Sequence, residues 1–208
     1  FNNRLFLSVV GEKMFQTYND RNKALFRSMI AIINEEQKED APLDFRYGTY
    51  RFEYVWEALI DRVFGIEEKS AYFPKTMWLL DDKYNDNACL EPDSIMLWND
   101  NIYVLDAKYY KYGATRRPWD LPESTSINKQ ITYGEFISGQ EKLTVGSSKK
   151  KTPTVYNAFL MPFNKKSELW KNSDSMLSIG EAISTWKSNE ETYERIQGIL
   201  IDVKHLMR

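Results

Sequence analysis

Histidine is almost missing from this sequence. Its single copy, His205, is the one residue that could serve a Ser-His or Cys-His charge relay. The lone cysteine, Cys89, excludes an internal disulfide framework and fits a reducing, cytoplasmic setting. No Cys/His zinc spacing occurs. No apolar run is long enough to span a membrane: "LFLSVV" near the start is too short and lacks the flanks of a cleaved signal peptide. With 28 Lys+Arg against 30 Asp+Glu, the net charge of −2 advertises no overall affinity for nucleic acid, so any such contact must come from local patches. A Gly-rich phosphate loop is also missing. The chain does not begin with Met, which leaves room for a module outside it. Together these absences direct any hydrolytic chemistry towards carboxylates, a lysine and a metal.

The 208 residues are enough for one large domain, or a domain with an extension. Residues 1–38 read as helical, with an apolar stripe of Leu25, Met29, Ile32 and Ile33. The charged stretch "NEEQKEDAP" reads as a linker. The division expected is therefore a helical N-terminal segment over 1–48, of unassigned role, and a main domain over 49–208. "TYRFEYVWEALIDRVFG" is the cleanest amphipathic helix: Phe52, Val55, Trp56, Leu59 and Val63 recur at helical spacing, and Gly65 suits its stop. Short strands are expected at Ala71–Phe73 and Met77–Leu80, and two β runs around Asn99-Asp100 form a hairpin candidate. "SINKQITYGEFISG" reads as a helix, "VGSSKKKTPT" as a basic loop and "VYNAFLMPF" as a buried strand. A helix is expected over Ile179–Lys187, and "IQGILIDVKHLM" as the last strand. This order implies an α/β fold with a mixed central sheet flanked by helices.

The chemistry concentrates at the hairpin, "EPDSIMLWNDNIYVLDAKYY". Side chains alternate along a strand, so Asp106 and Lys108 share a face with Ile102 and Val104. A two-residue loop at Asn99-Asp100 puts Asp93 opposite Asp106, with Cβ atoms roughly 4.5–5.5 Å apart; a three-residue loop would break the parity. Two carboxylates so placed repel unless a cation joins them. Mg²⁺, with Mn²⁺ as a substitute, is the natural bridge, because it takes carboxylate oxygens and keeps waters for a substrate phosphate. The Ala107 carbonyl is a further candidate ligand. Lys108 is placed to orient or deprotonate an attacking water, or to stabilise charge on the phosphate. The competing reading is a solvated hairpin end with a surface Asp106–Lys108 pair of little worth. A second Asp-x-Lys, Asp202-Val203-Lys204, has no acid at hairpin distance before it and reads as an ordinary strand end, with His205 beside it as a packed or surface residue.

Pro92-Asp93, Asp106 and Lys108 resemble the motif of PD-(D/E)xK nucleases, the fold of many restriction endonucleases. In that fold an earlier helix often adds a glutamate to the metal site. "FEYVWE" offers Glu53 and Glu57, one turn apart, and the resemblance to McrC-like nucleases favours Glu53. Gln130 and Tyr133 resemble the glutamine/tyrosine helix motif of RecB-like and McrC-like members, at a spacing one residue shorter. Gln130 could contact a phosphate or the attacking water, or pack at the edge of the core. The combination of "DAKYY", a Trp-Asp-Leu-Pro loop, "STSINKQITYGEFI" and "ILIDVKHLM" is most similar to LlaJI-type restriction endonucleases, over residues 50–205 and most closely over 91–137. The resemblance implies a Mg²⁺-dependent endonuclease cutting double-stranded DNA. It also implies a possible partner, a McrB-like nucleotide-hydrolysing subunit. The rival functions are a nucleic-acid-binding or assembly module of the same fold without cleavage, and a repair or RNA nuclease.

Phosphate contacts are expected where basic and aromatic residues crowd together. Arg116, Arg117 and Trp119 lie close after Lys108-Tyr109-Tyr110-Lys111-Tyr112, and Lys129 sits on the following helix. Lys149, Lys150 and Lys151 form a second basic loop, which would equally serve as a solubilising one. No recognition helix or zinc finger announces base readout.

Overall fold

A computed structural model of the chain describes residues 3–35, 49, 51–140 and 153–207. The chain divides into two compact units, Phe1–Gly48 and Thr49–Arg208. The first contains α1 (Asn3–Gln16) and α2 (Asp20–Glu35), which pack against each other. Within it Val10 and Ile33 are buried. Among the described residues no helix is long and apolar enough to cross a membrane.

The second unit is a mixed α/β domain. Its helices are α3 (Phe52–Phe64), α4 (Tyr112–Thr115), α5 (Ser124–Ser138) and α6 (Val203–Leu206). Its strands are β1 (Met77–Leu80), β2 (Lys83–Asp86), β3 (Ser94–Trp98), β4 (Asn101–Ala107), β5 (Thr154–Phe163), β6 (Met176–Ala182) and β7 (Ile196–Asp202). Five strands form the central sheet in the order β3-β4-β5-β7-β6. The middle three, β4, β5 and β7, run parallel, and each edge strand is antiparallel to its neighbour. The parallel step from β4 to β5 crosses over through α5, as a parallel pair requires.

Alternation along the strands divides the core between two helices. Leu105, Ala107, Ala158, Leu160 and Ile201 meet Trp56 and Ile60 of α3 on one face. The indole nitrogen of Trp56 donates to the Leu160 carbonyl at 2.9 Å, so this tryptophan is both packed and satisfied. On the other face Ile102, Val104 and Val155 pack with Tyr133 and Ile137 of α5. Further along the same face, Phe159, Met161 and Leu200 pack with Ile131.

Several sequence expectations are corrected. The segment at Ala71–Phe73 is not a strand: Ser70–Tyr72 forms a single 3-10 turn that buries Tyr72. Ile179–Lys187 is not a helix: Met176–Ala182 is edge strand β6, pairing with β7 through a register shift at Ser178/Gly180. Gly180 has φ 118, which suits glycine alone and opens the bulge. Val55 and Val63 of α3 are exposed, since the buried stripe runs through Trp56 and Ile60. The basic loop with Lys149, Lys150 and Lys151 lies outside the described residues.

Gly65 ends α3 in extended backbone, so its need for glycine is not a left-handed turn. A Cβ there would stand 2.3 Å from the Asp61 Oδ1, 2.5 Å from the Asp61 carbonyl oxygen and 2.7 Å from the Ser94 Oγ. Relief would have to move the helix end or the start of β3. Gly65→Ala is expected to lower stability by about 1–3 kcal/mol, read as the urea midpoint. An unchanged midpoint would show that this junction yields freely.

Candidate active site

The site begins with a turn. Asn99 and Asp100 both have positive φ, 49° and 61°, the backbone that a tight two-residue hairpin demands and that Asn and Asp tolerate. Trp98 therefore pairs with Asn101, and the ladder continues to Ser94 opposite Leu105. Asp93 and Asp106 extend this register by one position. The Asp93 Oδ2 accepts a hydrogen bond from the Ala107 amide at 2.8 Å, so the carboxylate is clamped against the end of β4.

Asp106 is 3% exposed. Its Oδ2 forms an ion pair with the Lys108 Nζ. Burial raises the Asp93 carboxyl to about 6, with the Asp106 charge adding to it, while the Ala107 amide and Lys108 pull the other way. Glu57 on α3 raises it a little further. Glu53 lies a turn earlier, half-buried in the first turn of α3.

Lys129 on α5 faces the same charges. A hydrogen bond with Tyr133 raises its pKa, burial opposes, and Tyr133, Asp106 and Asp93 raise it again. Its ammonium lies 5.5 Å from the Tyr133 ring centroid. The Tyr133 hydroxyl donates to the Glu91 carbonyl at 2.9 Å. Gln130 is buried in the core instead. Its Nε2 donates to the Val104 carbonyl at 2.7 Å and to the Asn157 Oδ1 at 3.3 Å, tying α5 to β4 and β5. At 1% exposure it has the packing role among its two readings.

The arginines following β4 lie on exposed loop. Arg116 caps α4 in the left-handed region and stacks its guanidinium over Trp170, 4.7 Å from the ring centroid. It also donates to the Leu169 carbonyl. Arg117 lies 5.9 Å from the ring of the exposed Trp119. Lys111 is exposed at the start of α4. The second Asp-x-Lys is structural: Asp202 caps α6 through His205 and accepts the Lys165 amide at 2.9 Å, while Lys204 and His205 are exposed.

One supporting group was not visible in the sequence. Lys69 donates to the Asp93 carbonyl at 2.7 Å and to the Asp61 Oδ1 at 2.9 Å, and the Ser94 Oγ donates to the same oxygen at 2.6 Å. Burial pushes the Asp61 carboxyl up, but these hydrogen bonds outweigh it and hold the group below its ordinary value. This charged knot fixes the backbone beside Asp93. Its members come from three separate segments, and no local motif announces them.

The donor set fits a hard divalent cation in part. A buried Asp106 beside a half-buried Asp93, whose charged form its neighbour disfavours, is a pair that such an ion relieves, and the Ala107 carbonyl adjoins them. Among the described residues no cluster of three or more His, Cys, Asp or Glu is placed to hold a metal. An ion here would therefore complete its shell with water or substrate oxygens, as Mg²⁺ commonly does.

Residues 2–178 match the family described as LlaJI restriction endonuclease. The chain is also similar to a Bacillus subtilis (strain 168) protein described as "Type II restriction enzyme BsuMI component YdjA". The two are 28% identical over 203 residues, which is 90% of this chain and 42% of that protein. The chain thus spans less than half the length of the curated relative it matches.

The raised Asp93 carboxyl has a measurable consequence in metal-free protein. Its folded value lies above the ordinary 3.8, so the folded state favours the protonated form. The stability this contributes is fully present below about pH 4 and is lost as pH rises through about 6. Asp93→Asn removes that loss. In EDTA it is expected to be more stable than wild type at pH 8 by roughly 1–3 kcal/mol, with the two converging near pH 4. Urea denaturation at pH 4, 6 and 8 measures the difference; parallel profiles would contradict the assignment.

Proposed function

Because the chain belongs to the LlaJI restriction endonuclease family, we propose that it is the nuclease part of a restriction system, hydrolysing phosphodiester bonds of double-stranded DNA with Mg²⁺ in the cytoplasm. The observation that carries this reading is the closeness of Asp93, Asp106 and Lys108 at one end of β4. The mixed sheet with a helix on each face is compatible with a PD-(D/E)xK fold.

Asp93 and Asp106, with the Ala107 carbonyl, are the residues that would hold the ion; Glu53 and Glu57 of α3 complete no three-acid cluster with them among the described residues. When bound, the ion would neutralise phosphate charge and lower the pKa of a water on it. Lys108 is held by Asp106, and from there its ammonium can orient the attacking water and stabilise charge that develops on the phosphate oxygens. Lys129 supplies a second cation from α5. The Lys69–Asp61–Ser94 knot keeps Asp93 from swinging away, and Gln130 holds α5 against the catalytic strand.

The description of the relative as a component supports a partner subunit, and the family resemblance points to a McrB-like nucleotide-hydrolysing one. The chain's own contribution can be tested alone. Incubated with duplex DNA and with RNA, it is expected to cut DNA in Mg²⁺ or Mn²⁺ and to be inert in EDTA. Lys108→Ala is expected to lower the cleavage rate by at least about 10²-fold with unchanged circular dichroism. DNA binding without cleavage under every metal would instead favour a non-cleaving assembly module, and cleavage of RNA alone the RNA-nuclease reading.

Arg117 and Arg116 should separate in DNA binding. Arg116 is engaged by Trp170 and Leu169, whereas among the described residues the Arg117 guanidinium meets only the exposed Trp119 face. Arg117→Ala is expected to weaken binding similarly across DNA sequences and to make the salt dependence of log K shallower, by roughly 0.9 for each phosphate no longer neutralised. Titration of fluorescent duplex at several salt concentrations reads both. No change in either would remove this loop from the interface.

A further inference from the structure

A cleft of about 560 Å³ lies at the carboxyl ends of β4, β5 and β7. This is within the roughly 300–1,000 Å³ of small-ligand sites, and it occupies the crevice where open α/β sheets commonly bind ligands. Phe52 and Tyr109 both line it, with ring centroids 5.0 Å apart and planes tilted by 45°. Lys111 and Lys204 line it too, and among the described residues neither enters an ion pair. The one acid in the lining, Asp202, is already committed: its oxygens accept the Lys165 and His205 amides. The charge left to a ligand is therefore positive, beside an aromatic wall. That pairing suits a nucleotide: a π-face to stack and a phosphate to neutralise.

Position narrows the ligand further. Tyr109 follows Lys108 directly, and consecutive Cα atoms stand about 3.8 Å apart. A phosphate contacted by Lys108 therefore lies on a strand whose neighbouring nucleotides pass close to the segment that carries Tyr109. Inside a duplex those bases are stacked and cannot reach an aromatic wall, whereas an extruded base can.

We propose that this cleft receives a nucleobase unstacked from the DNA strand whose phosphate Lys108 contacts. The proposal rests on the nuclease reading above. Tyr109 stacks on the base, and Lys111 and Lys204 neutralise the adjoining phosphate.

The experiment compares two fluorescent single-stranded oligonucleotides of equal length, in EDTA so that neither is cut. One carries all its bases, and the other has a central run of abasic nucleotides with the same phosphates. The full 208-residue chain is expected to prefer the base-bearing strand by about five- to a hundredfold. Tyr109→Ala should abolish that preference and leave abasic-strand affinity unchanged; Tyr109→Phe, which keeps the ring, should retain it. Tyr109 is 50% exposed, so both variants are expected to fold. Equal affinity of wild type for the two strands would overturn the cleft as a base site while leaving the nuclease reading intact. So would a preference that survives in Tyr109→Ala but disappears in Trp119→Ala, because it would move the base contact to the other loop. No binding of either strand, together with no cleavage in any divalent metal, would overturn both.

Discussion

The tight turn at Asn99-Asp100 sets the geometry on which the site depends. Two residues with positive φ close the hairpin, and every pair up to Ser94–Leu105 follows from that closure. Strand side chains alternate with a period of two, so a slip of one residue would send Asp106 to the α3 face and Leu105 to the other. The slip is resisted along the whole strand. Ile102 and Val104 pack beneath α5 while Leu105 and Ala107 pack beneath α3. With both faces of β4 buried, the register that places the acids is also the one that fills the core.

That placement works against stability, and the surrounding structure offsets it. Asp106 is buried, and Asp93 is forced towards its protonated form by burial and by its neighbour's charge. An isolated core would not retain such a pair, whereas strongly perturbed carboxylates are common where chemistry occurs. Compensation comes from several elements. Lys108 neutralises Asp106, the Ala107 amide satisfies Asp93, and Lys129 approaches from α5. The Lys69–Asp61–Ser94 knot then anchors the chain just before β3. The acids are held by a frame built before any ligand arrives, and such pre-organisation is what electrostatic catalysis requires.

The same sheet end also gathers features outside the acid pair. The three parallel strands bring the segments after β4, β5 and β7 together, which is how Tyr109 comes to share a cleft with Lys204. The hairpin outside the central sheet looks different. Every residue of β1 and β2 is exposed, including Trp78 and Tyr84, and neither strand contributes to a core face.

Sequence alone determined the elements whose signals are local. The Asn-Asp turn, the helical stripe containing Trp56, the helix around Gln130 and the apolar run of β5 each carry a complete signature within about fifteen residues, and the residues of the acid-lysine motif could be named. Tertiary structure decided what depends on distant neighbours. The helix expected over Ile179–Lys187 overlaps the end of edge strand β6, whose pairing with β7 and bulge at Gly180 are non-local. Glu57 stands 36 positions before Asp93 in sequence, and the packing of α3 on the sheet is what brings its charge to bear on that carboxyl. Gln130 could have faced a phosphate or the core, and the crossover buried it against Val104 and Asn157. Lys69, Asp61 and Ser94 meet only because the chain folds back at Gly65, and long-range hydrogen bonds of that kind leave no periodic trace in a sequence.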